Sequence, residues 1–121
     1  MKVLITDDNV DSAQTLGTLV DLLGHESCVT HSAESALDAL AAFRPRVAFL
    51  DIGLPAMDGY ELARAIRTRS ELQPIYLVAL TGRGTPSDRA DAHAAGFDLH
   101  CAKPMPMGRV QEILRDFDCS G

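Results

Sequence analysis

The length of 121 residues and a composition of 46% hydrophobic and 23% charged residues indicate one globular domain, expected over 1–121 with a core over about 2–117. A net charge of −6, with the lysines and arginines dispersed, argues against nucleic-acid binding. Because no apolar run approaches the roughly 18 to 20 residues of a membrane span, we expect no membrane contact and a cytoplasmic location.

Short apolar runs recur along the chain and indicate β-strands. In chain order, the predicted strands span residues 2–6, 26–30, 46–50, 75–80 and 97–102. The third and fourth, RVAFL and IYLVAL, are largely apolar, as strands covered on both faces require.

Helical periodicity occupies the segments between and after these strands. Apolar residues spaced from Val10 onward predict the first helix, and Ser32 is placed to cap the second. Asp58 and Thr85 are expected to begin the third and fourth helices. Pro106 opens the fifth, whose apolar positions should lie on one side: Met107, Val110, Ile113, Leu114 and Phe117.

Five strands that alternate with five helices predict an α/β fold with a parallel sheet. Helices should cover both faces of that sheet, which gives a three-layer α/β/α sandwich. In open sheets of this kind, ligands bind beyond the carboxyl ends of the strands. The residues at those ends are therefore the candidates for a functional site.

Three acids, one hydroxyl and one amine follow the predicted strand ends: Asp7, Asp8, Asp51, Thr81 and Lys103. Crowded carboxylates repel one another, and a divalent cation such as magnesium is the simplest way to neutralise them. Lys103 and Thr81 could hold the oxygens of a phosphoryl group transferred to Asp51. The product would be an acyl phosphate.

The motifs that carry these residues resemble the receiver domains of two-component response regulators. They are TDD, LDIGLPAMDGYE, ALTGRG, AAGFD and CAKP, in this order along the chain. The resemblance covers roughly residues 2–117 and extends to the receivers of hybrid histidine kinases. It implies a flavodoxin-like, doubly wound sheet with the strand order 2-1-3-4-5.

The resemblance also implies a role for each site residue. Asp51 matches the phosphoacceptor, Thr81 the switch hydroxyl and Lys103 the phosphoryl-binding lysine, followed by a cis bond to Pro104. Magnesium, or manganese in its place, would be held by four residues: Asp7, Asp8, Asp51 and, through its backbone carbonyl, Gly53.

Three further positions bear on switching and on the lifetime of the phosphoryl group. His100 stands where the family usually has Tyr or Phe; we hypothesise that it replaces this aromatic switch residue and makes switching depend on pH. The alternative is a strand histidine without a switch role. Gly53 and Arg83 match positions that control access of the hydrolytic water, although Arg83 can also be read as an ordinary loop arginine. The remaining histidines are expected away from the site: His25, His31 and His93.

The implied function is a signalling switch rather than an enzyme. A histidine kinase or histidine phosphotransfer protein would donate the phosphoryl group, and the face of the fourth helix, fifth strand and fifth helix would change shape and could form a homodimer. Its charged residues are Arg89, Asp91, Asp98, Glu112 and Arg115.

Several alternatives stay open. The chain could be a stand-alone regulator or a fragment of a hybrid kinase, and we expect no output domain after the fifth helix. It could be a pseudo-receiver that binds partners without phosphorylation. An aspartate-nucleophile phosphatase is less compatible, because such an enzyme needs a second acid at the position of Gly53.

Overall fold

The order of strands and helices follows the sequence prediction. The computed structural model describes residues 1–53, 59–69, 75–81, 86–103 and 105–120, except for the side chains of 86–89 and 117–120. The strands are β1 (Lys2–Thr6), β2 (Glu26–Thr30), β3 (Val47–Asp51), β4 (Tyr76–Thr81) and β5 (Leu99–Ala102). The helices are α1 (Val10–Leu22), α2 (Ala33–Phe43), α3 (Gly59–Arg67), α4 (Pro86–Ala95) and α5 (Met107–Ser120).

The strands form one parallel sheet in the order β2-β1-β3-β4-β5, which confirms the predicted doubly wound topology. β1 therefore lies between β2 and β3. In the register of the sheet, Thr6 is level with both Thr30 and Leu50, and Asp51 is level with Leu80. The carboxyl ends of β2, β1 and β3 consequently meet at one edge.

Three strands have boundaries that differ from the prediction. β3 and β4 both begin and end one residue later than expected, so Asp51 and Thr81 are the last strand residues rather than the first residues after their strands. β5 begins at Leu99, two residues later than predicted. The reason is that the Phe97 N–H donates to Ala92 at the end of α4, so residue 97 closes the helix instead of starting the strand.

Two helix starts show how local sequence sets the caps. The Asn9 side chain accepts from the Ser12 N–H and caps α1, and Ser32 accepts from the Ser35 N–H and caps α2 as predicted. The predicted caps of α3 and α4, Asp58 and Thr85, lie outside the described residues.

Two of the apolar residues that indicate the first and fifth helices, Val10 and Met107, are exposed. Their exposed fractions are 47% and 52%. Each is the first residue of its helix, at the end next to the site edge, whereas burial begins further along, at Ala13 in α1 and at Val110 in α5.

The core has two parts, one on each face of the sheet. Leu4, Leu50 and Leu77 point toward α2 and α3, whereas Ile5 and Phe49 point toward α1 and α5. This alternation is what a sheet covered on both faces requires, and it confirms the three-layer sandwich. No helix in the described ranges combines the length and the apolar character needed to cross a membrane; the cytoplasmic location stays a prediction.

Candidate functional site

Three carboxylates meet at the carboxyl edge of the sheet. Asp7 and Asp8 follow β1, and Asp51 ends the neighbouring β3. One oxygen of each lies within 4.8 Å of the others. Asp7 and Asp51 are buried, with exposed fractions of 2% and 6%, whereas Asp8 is exposed. The cluster thus has two buried carboxylates and one exposed carboxylate.

Lys103, one residue past β5, reaches across to this cluster. Its Nζ lies 2.9 Å from Asp7 Oδ2 and 3.2 Å from Asp51 Oδ2. Its backbone N–H donates to the Thr81 carbonyl over 2.7 Å, which holds the Lys103 backbone to the end of β4. Burial lowers the pKa of Lys103, but the hydrogen bonds to Asp7 and Asp51 outweigh this effect and raise the pKa above its ordinary value. Lys103 is therefore charged at neutral pH.

Among the described residues, the charges of the cluster do not balance. Three carboxylates face one ammonium group, which leaves two negative charges, the complement of one divalent cation. The donors are carboxylate oxygens, the hard ligands that magnesium and manganese prefer. The donor set therefore fits the predicted metal.

Every polar atom of Asp7 has a hydrogen-bond or ion-pair partner. Its N–H donates to the Thr30 carbonyl over 3.1 Å, and its Oδ1 accepts from the Asn9 N–H over 3.0 Å. Its Oδ2 contacts Lys103, and its carbonyl oxygen lies 3.0 Å from His31 Nδ1. Asp7 is consequently fixed in both backbone and side chain.

A buried pair of threonines lies directly before Asp7 and explains Thr6, to which sequence reasoning gave no role. The Thr30 hydroxyl donates to the Ile5 carbonyl over 3.2 Å, so its oxygen is free to accept from the Thr6 hydroxyl at 2.8 Å. The pair satisfies both buried hydroxyls and joins the ends of β1 and β2. It supports the backbone that leads into the acidic cluster.

Asp51 is positioned by the turn that follows it. Its Oδ1 accepts from the Gly53 N–H over 3.0 Å. A Cβ at Gly53 would lie 3.6 Å from that oxygen, so any other residue there would contact the carboxylate. At Gly59, a Cβ would lie 2.4 Å from the Ile52 Cα and 2.7 Å from the Asp51 carbonyl. Only glycine lets α3 begin this close to the end of β3.

Thr81 and His100 lie close to this edge of the sheet. Thr81 ends β4 and is buried. His100 is level with Ala79 in β4, and its Nε2 is buried without a hydrogen-bond partner among the described residues. It lines a cavity of about 360 Å³ together with Ala92, His93, Phe97, Asp98, Leu99 and Arg109. His100 therefore lies on the side of α4, β5 and α5, in a cavity whose described lining includes none of the acidic cluster.

The structure thus brings together four of the predicted residues and places others nearby. Asp7, Asp8, Asp51 and Lys103 form the cluster, with Gly53 beside it. Arg83 and Pro104 lie outside the described residues.

One expectation about the histidines is wrong, because His31 contacts the site through the Asp7 carbonyl. The sequence contained a usable signal: His31 directly follows β2, and the expected strand order places β2 beside β1.

At the opposite edge of the sheet, Arg67 at the end of α3 forms a second charged cluster. Its Nε and Nη1 donate to the carbonyls of Gly96 and Ile75, over 2.9 and 2.8 Å, and its Nη2 donates to Asp98 over 2.7 Å. Asp98 also accepts from the Leu77 N–H over 2.9 Å. Asp98, expected among the charges of a docking face, is therefore held in a structural ion pair.

Comparisons with known proteins agree with this geometry. The family model described as "response regulator receiver domain" matches residues 3–115. The chain is 34% identical over 114 residues to the two-component response regulator PhoP of Pseudomonas aeruginosa, which covers 94% of the chain and 50% of PhoP. It is 31% identical over 129 residues to hybrid signal transduction histidine kinase L of Dictyostelium discoideum, which covers 99% of the chain and 7% of the kinase. The chain thus spans half or less of these two relatives.

A solved structure with the same fold is the receiver domain of the sensor histidine kinase PA1611 from Pseudomonas aeruginosa. The TM-score is 0.85 at 25% identity, and the match covers 95% of this chain and 94% of that one. That structure holds a magnesium ion coordinated in its active-site cleft.

Proposed function

The chain belongs to the family of response regulator receiver domains, and from this premise we propose that it accepts a phosphoryl group on Asp51. The observation that carries the proposal is the cluster itself: a buried aspartate at a strand end, 3.2 Å from a lysine amine and within 4.8 Å of two further acids. The donor is a histidine kinase or a histidine phosphotransfer protein.

In the proposed reaction, an Asp51 carboxylate oxygen attacks the phosphorus of a phosphohistidine. The phosphorus–nitrogen bond breaks, and the donor imidazole keeps its electron pair. Lys103 is placed to pair with the negative oxygens of the transferred group because its Nζ already lies beside Asp51 Oδ2. The chain then assists transfer and hydrolysis on itself, which is the work of a switch and not of an enzyme with an external substrate.

Asp7, Asp8, Asp51 and the Gly53 carbonyl are the residues that would hold magnesium, with manganese as a substitute. The ion would neutralise charge on the transferring phosphoryl oxygens. The support for this assignment is the uncompensated double negative charge of the cluster and its set of oxygen donors.

A groove next to the cluster is the proposed docking surface for the protein that donates the phosphoryl group. It has a volume of about 450 Å³ and runs from Asp7 and Lys103 along α1, with Leu16 and Leu19 in its wall. The exposed Val10 lies in the first turn of α1, the helix that forms this wall. A donor histidine must approach Asp51 from this edge, so we assign the groove to the histidine-bearing domain of the donor.

The output of the proposed switch is a change on the α4–β5–α5 face. Thr81 and Lys103 would move onto the phosphoryl oxygens and pull the adjoining segments, and α4, β5 and α5 would repack. A partner protein, or a second copy of the chain, would read the new shape. Four of the predicted charges are exposed among the described residues: Asp91, Asp98, Glu112 and Arg115. Glu112 pairs with Arg109 over 3.1 Å and Asp98 pairs with Arg67 over 2.7 Å, so Asp91 and Arg115 are the two for which no ion pair is found within the described part of the chain.

His100 is the proposed coupling residue between Thr81 and this face. Histidines change charge near neutral pH, and a proton on His100 would add charge to a cavity that His93, Asp98 and Arg109 also line. Switching should therefore depend on pH. The test compares the phosphorylation-induced NMR shifts of α4 and α5 at pH 6 and pH 8 in the wild type and in His100→Phe; identical responses would reject the role.

Two further residues are proposed to set how long the phosphoryl group survives. Gly53 leaves one side of Asp51 open to water, and Arg83 is proposed to shield the other. We expect Arg83→Ala to change the dephosphorylation rate, measured as decay of the label after removal of the donor. The cis bond between Lys103 and Pro104, which the family resemblance implies, is proposed as well.

The phosphoacceptor assignment is tested by incubating the chain with magnesium and acetyl phosphate and measuring the mass of the intact protein. We expect labelling of the wild type and of the control Asp98→Asn, and none of Asp51→Asn. Turnover of p-nitrophenyl phosphate would favour the phosphatase alternative. An unlabelled wild type would favour the pseudo-receiver alternative.

A further inference from the structure

We propose that His31 is a positioning residue for the metal site, acting through the peptide group that joins Asp7 to Asp8. This inference rests on the proposed magnesium site. Its observation is the 3.0 Å contact between His31 Nδ1 and the Asp7 carbonyl oxygen. That carbonyl belongs to the same planar peptide unit as the N–H of Asp8.

The direction of this hydrogen bond is fixed by its chemistry. A carbonyl oxygen only accepts, so the proton must be on Nδ1 of His31. The neutral Nδ1–H tautomer and the doubly protonated ring both donate from this atom. The bond therefore persists whether or not the ring is charged, and the role does not depend on titration.

The end of β2 consequently holds Asp7 on both sides. The Thr30 carbonyl accepts from the Asp7 N–H, and His31, the next residue, donates to the Asp7 carbonyl. These two contacts fix the peptide planes before and after Asp7. The plane after Asp7 sets the direction in which the chain presents Asp8.

Asp8 is the acid of the cluster whose position depends most on the backbone. The Asp7 and Asp51 carboxylates are buried and contact Lys103, whereas the Asp8 carboxylate is exposed and has no hydrogen bond to the described residues. Its placement before a metal binds depends on its backbone. A metal ligand that is not held in place costs affinity, because ordering it opposes binding.

The experiment is a magnesium titration by isothermal calorimetry on the full chain, together with thermal unfolding in EDTA. His31→Ala removes the donor. His31→Asn keeps one, because the asparagine Nδ2 is the same number of bonds from the backbone as the histidine Nδ1. His93→Ala is the matched control, an exposed histidine on α4 outside the site.

We expect His31→Ala to weaken magnesium binding about threefold to tenfold, the effect of losing one supporting hydrogen bond. His31→Asn and His93→Ala should bind within about twofold of the wild type. The melting temperature in EDTA should change little in all three, because the His31 side chain is exposed.

Two results would overturn the positioning role: an unchanged affinity in His31→Ala, or an equal loss in His31→Ala and His31→Asn. A fall in EDTA melting temperature with unchanged affinity would assign His31 a structural role instead. The magnesium site itself is tested by Asp8→Asn. If the wild type binds no better than Asp8→Asn, the proposed site fails, and the His31 inference fails with it.

Discussion

The two edges of the sheet differ in how their charged side chains are paired. At the amino edge, Arg67 uses all three guanidinium nitrogens, and Asp98 accepts from both Arg67 and the Leu77 N–H. At the carboxyl edge, three carboxylates share one lysine. A matched pair with satisfied hydrogen bonds stabilises the fold. The unmatched charge among the described residues is what makes the carboxyl edge the candidate binding site.

The largest expected effect comes from removing Lys103, the cation that the described residues place at the carboxyl edge. Lys103→Met would take away the ammonium group that contacts the buried carboxylates of Asp7 and Asp51, and we expect a loss of about 2 to 3 kcal/mol in unfolding free energy in EDTA. Urea unfolding measures it. Lys2→Met is the control, because Lys2 is exposed, begins β1 at the opposite edge of the sheet, and has its Nζ over the Phe43 ring. Equal losses in the two variants would remove the contrast between the edges.

The same lysine predicts a pH dependence. Because the folded-state pKa of Lys103 is raised, its contribution is complete below the unfolded pKa of about 10.4 and is lost as pH rises through the higher folded value. The stability difference between the wild type and Lys103→Met should be constant from about pH 7 to 10 and shrink above that range. Tyrosines and thiols titrate equally in both proteins and cancel. A difference that grew with alkaline pH would contradict the sign.

At the amino edge, Arg67→Ala should cost about 1 to 2 kcal/mol, because three hydrogen bonds are lost but the ion pair is partly exposed. Magnesium affinity and labelling of Asp51 should not change. Calorimetry and intact mass on the variant check both points. A fall in magnesium affinity would show that the two edges are coupled.

The smallest expected effect is on the melting temperature, which should change in opposite directions when one aspartate at each edge is replaced by asparagine. In EDTA, Asp8→Asn removes an acid from an overcharged cluster and should raise the melting temperature by about 1 to 3 °C. Asp98→Asn breaks a matched pair and should lower it. With magnesium added, only the Asp8→Asn variant should lose the ligand-dependent rise in melting temperature. Melting curves with and without magnesium provide the comparison.

The sequence by itself determined the fold class, the order of elements and most of the cluster. Strand and helix periods differ, parallel strands share a carboxyl edge, and residues that follow strand ends must therefore meet there. This reasoning identified Asp7, Asp8, Asp51 and Lys103, and the structure brings them together. It depends only on local pattern and on a general rule of sheet topology.

Only the tertiary structure decided which polar groups pair. The lysine contacts two of the three acids, Asp98 pairs with Arg67, and His31 reaches the Asp7 carbonyl. These contacts join residues at least 24 positions apart in the chain. Several residues of the chain could pair chemically with each of these side chains. The fold decides which of them lies at hydrogen-bonding distance and in the right direction. Local sequence carries no record of that choice.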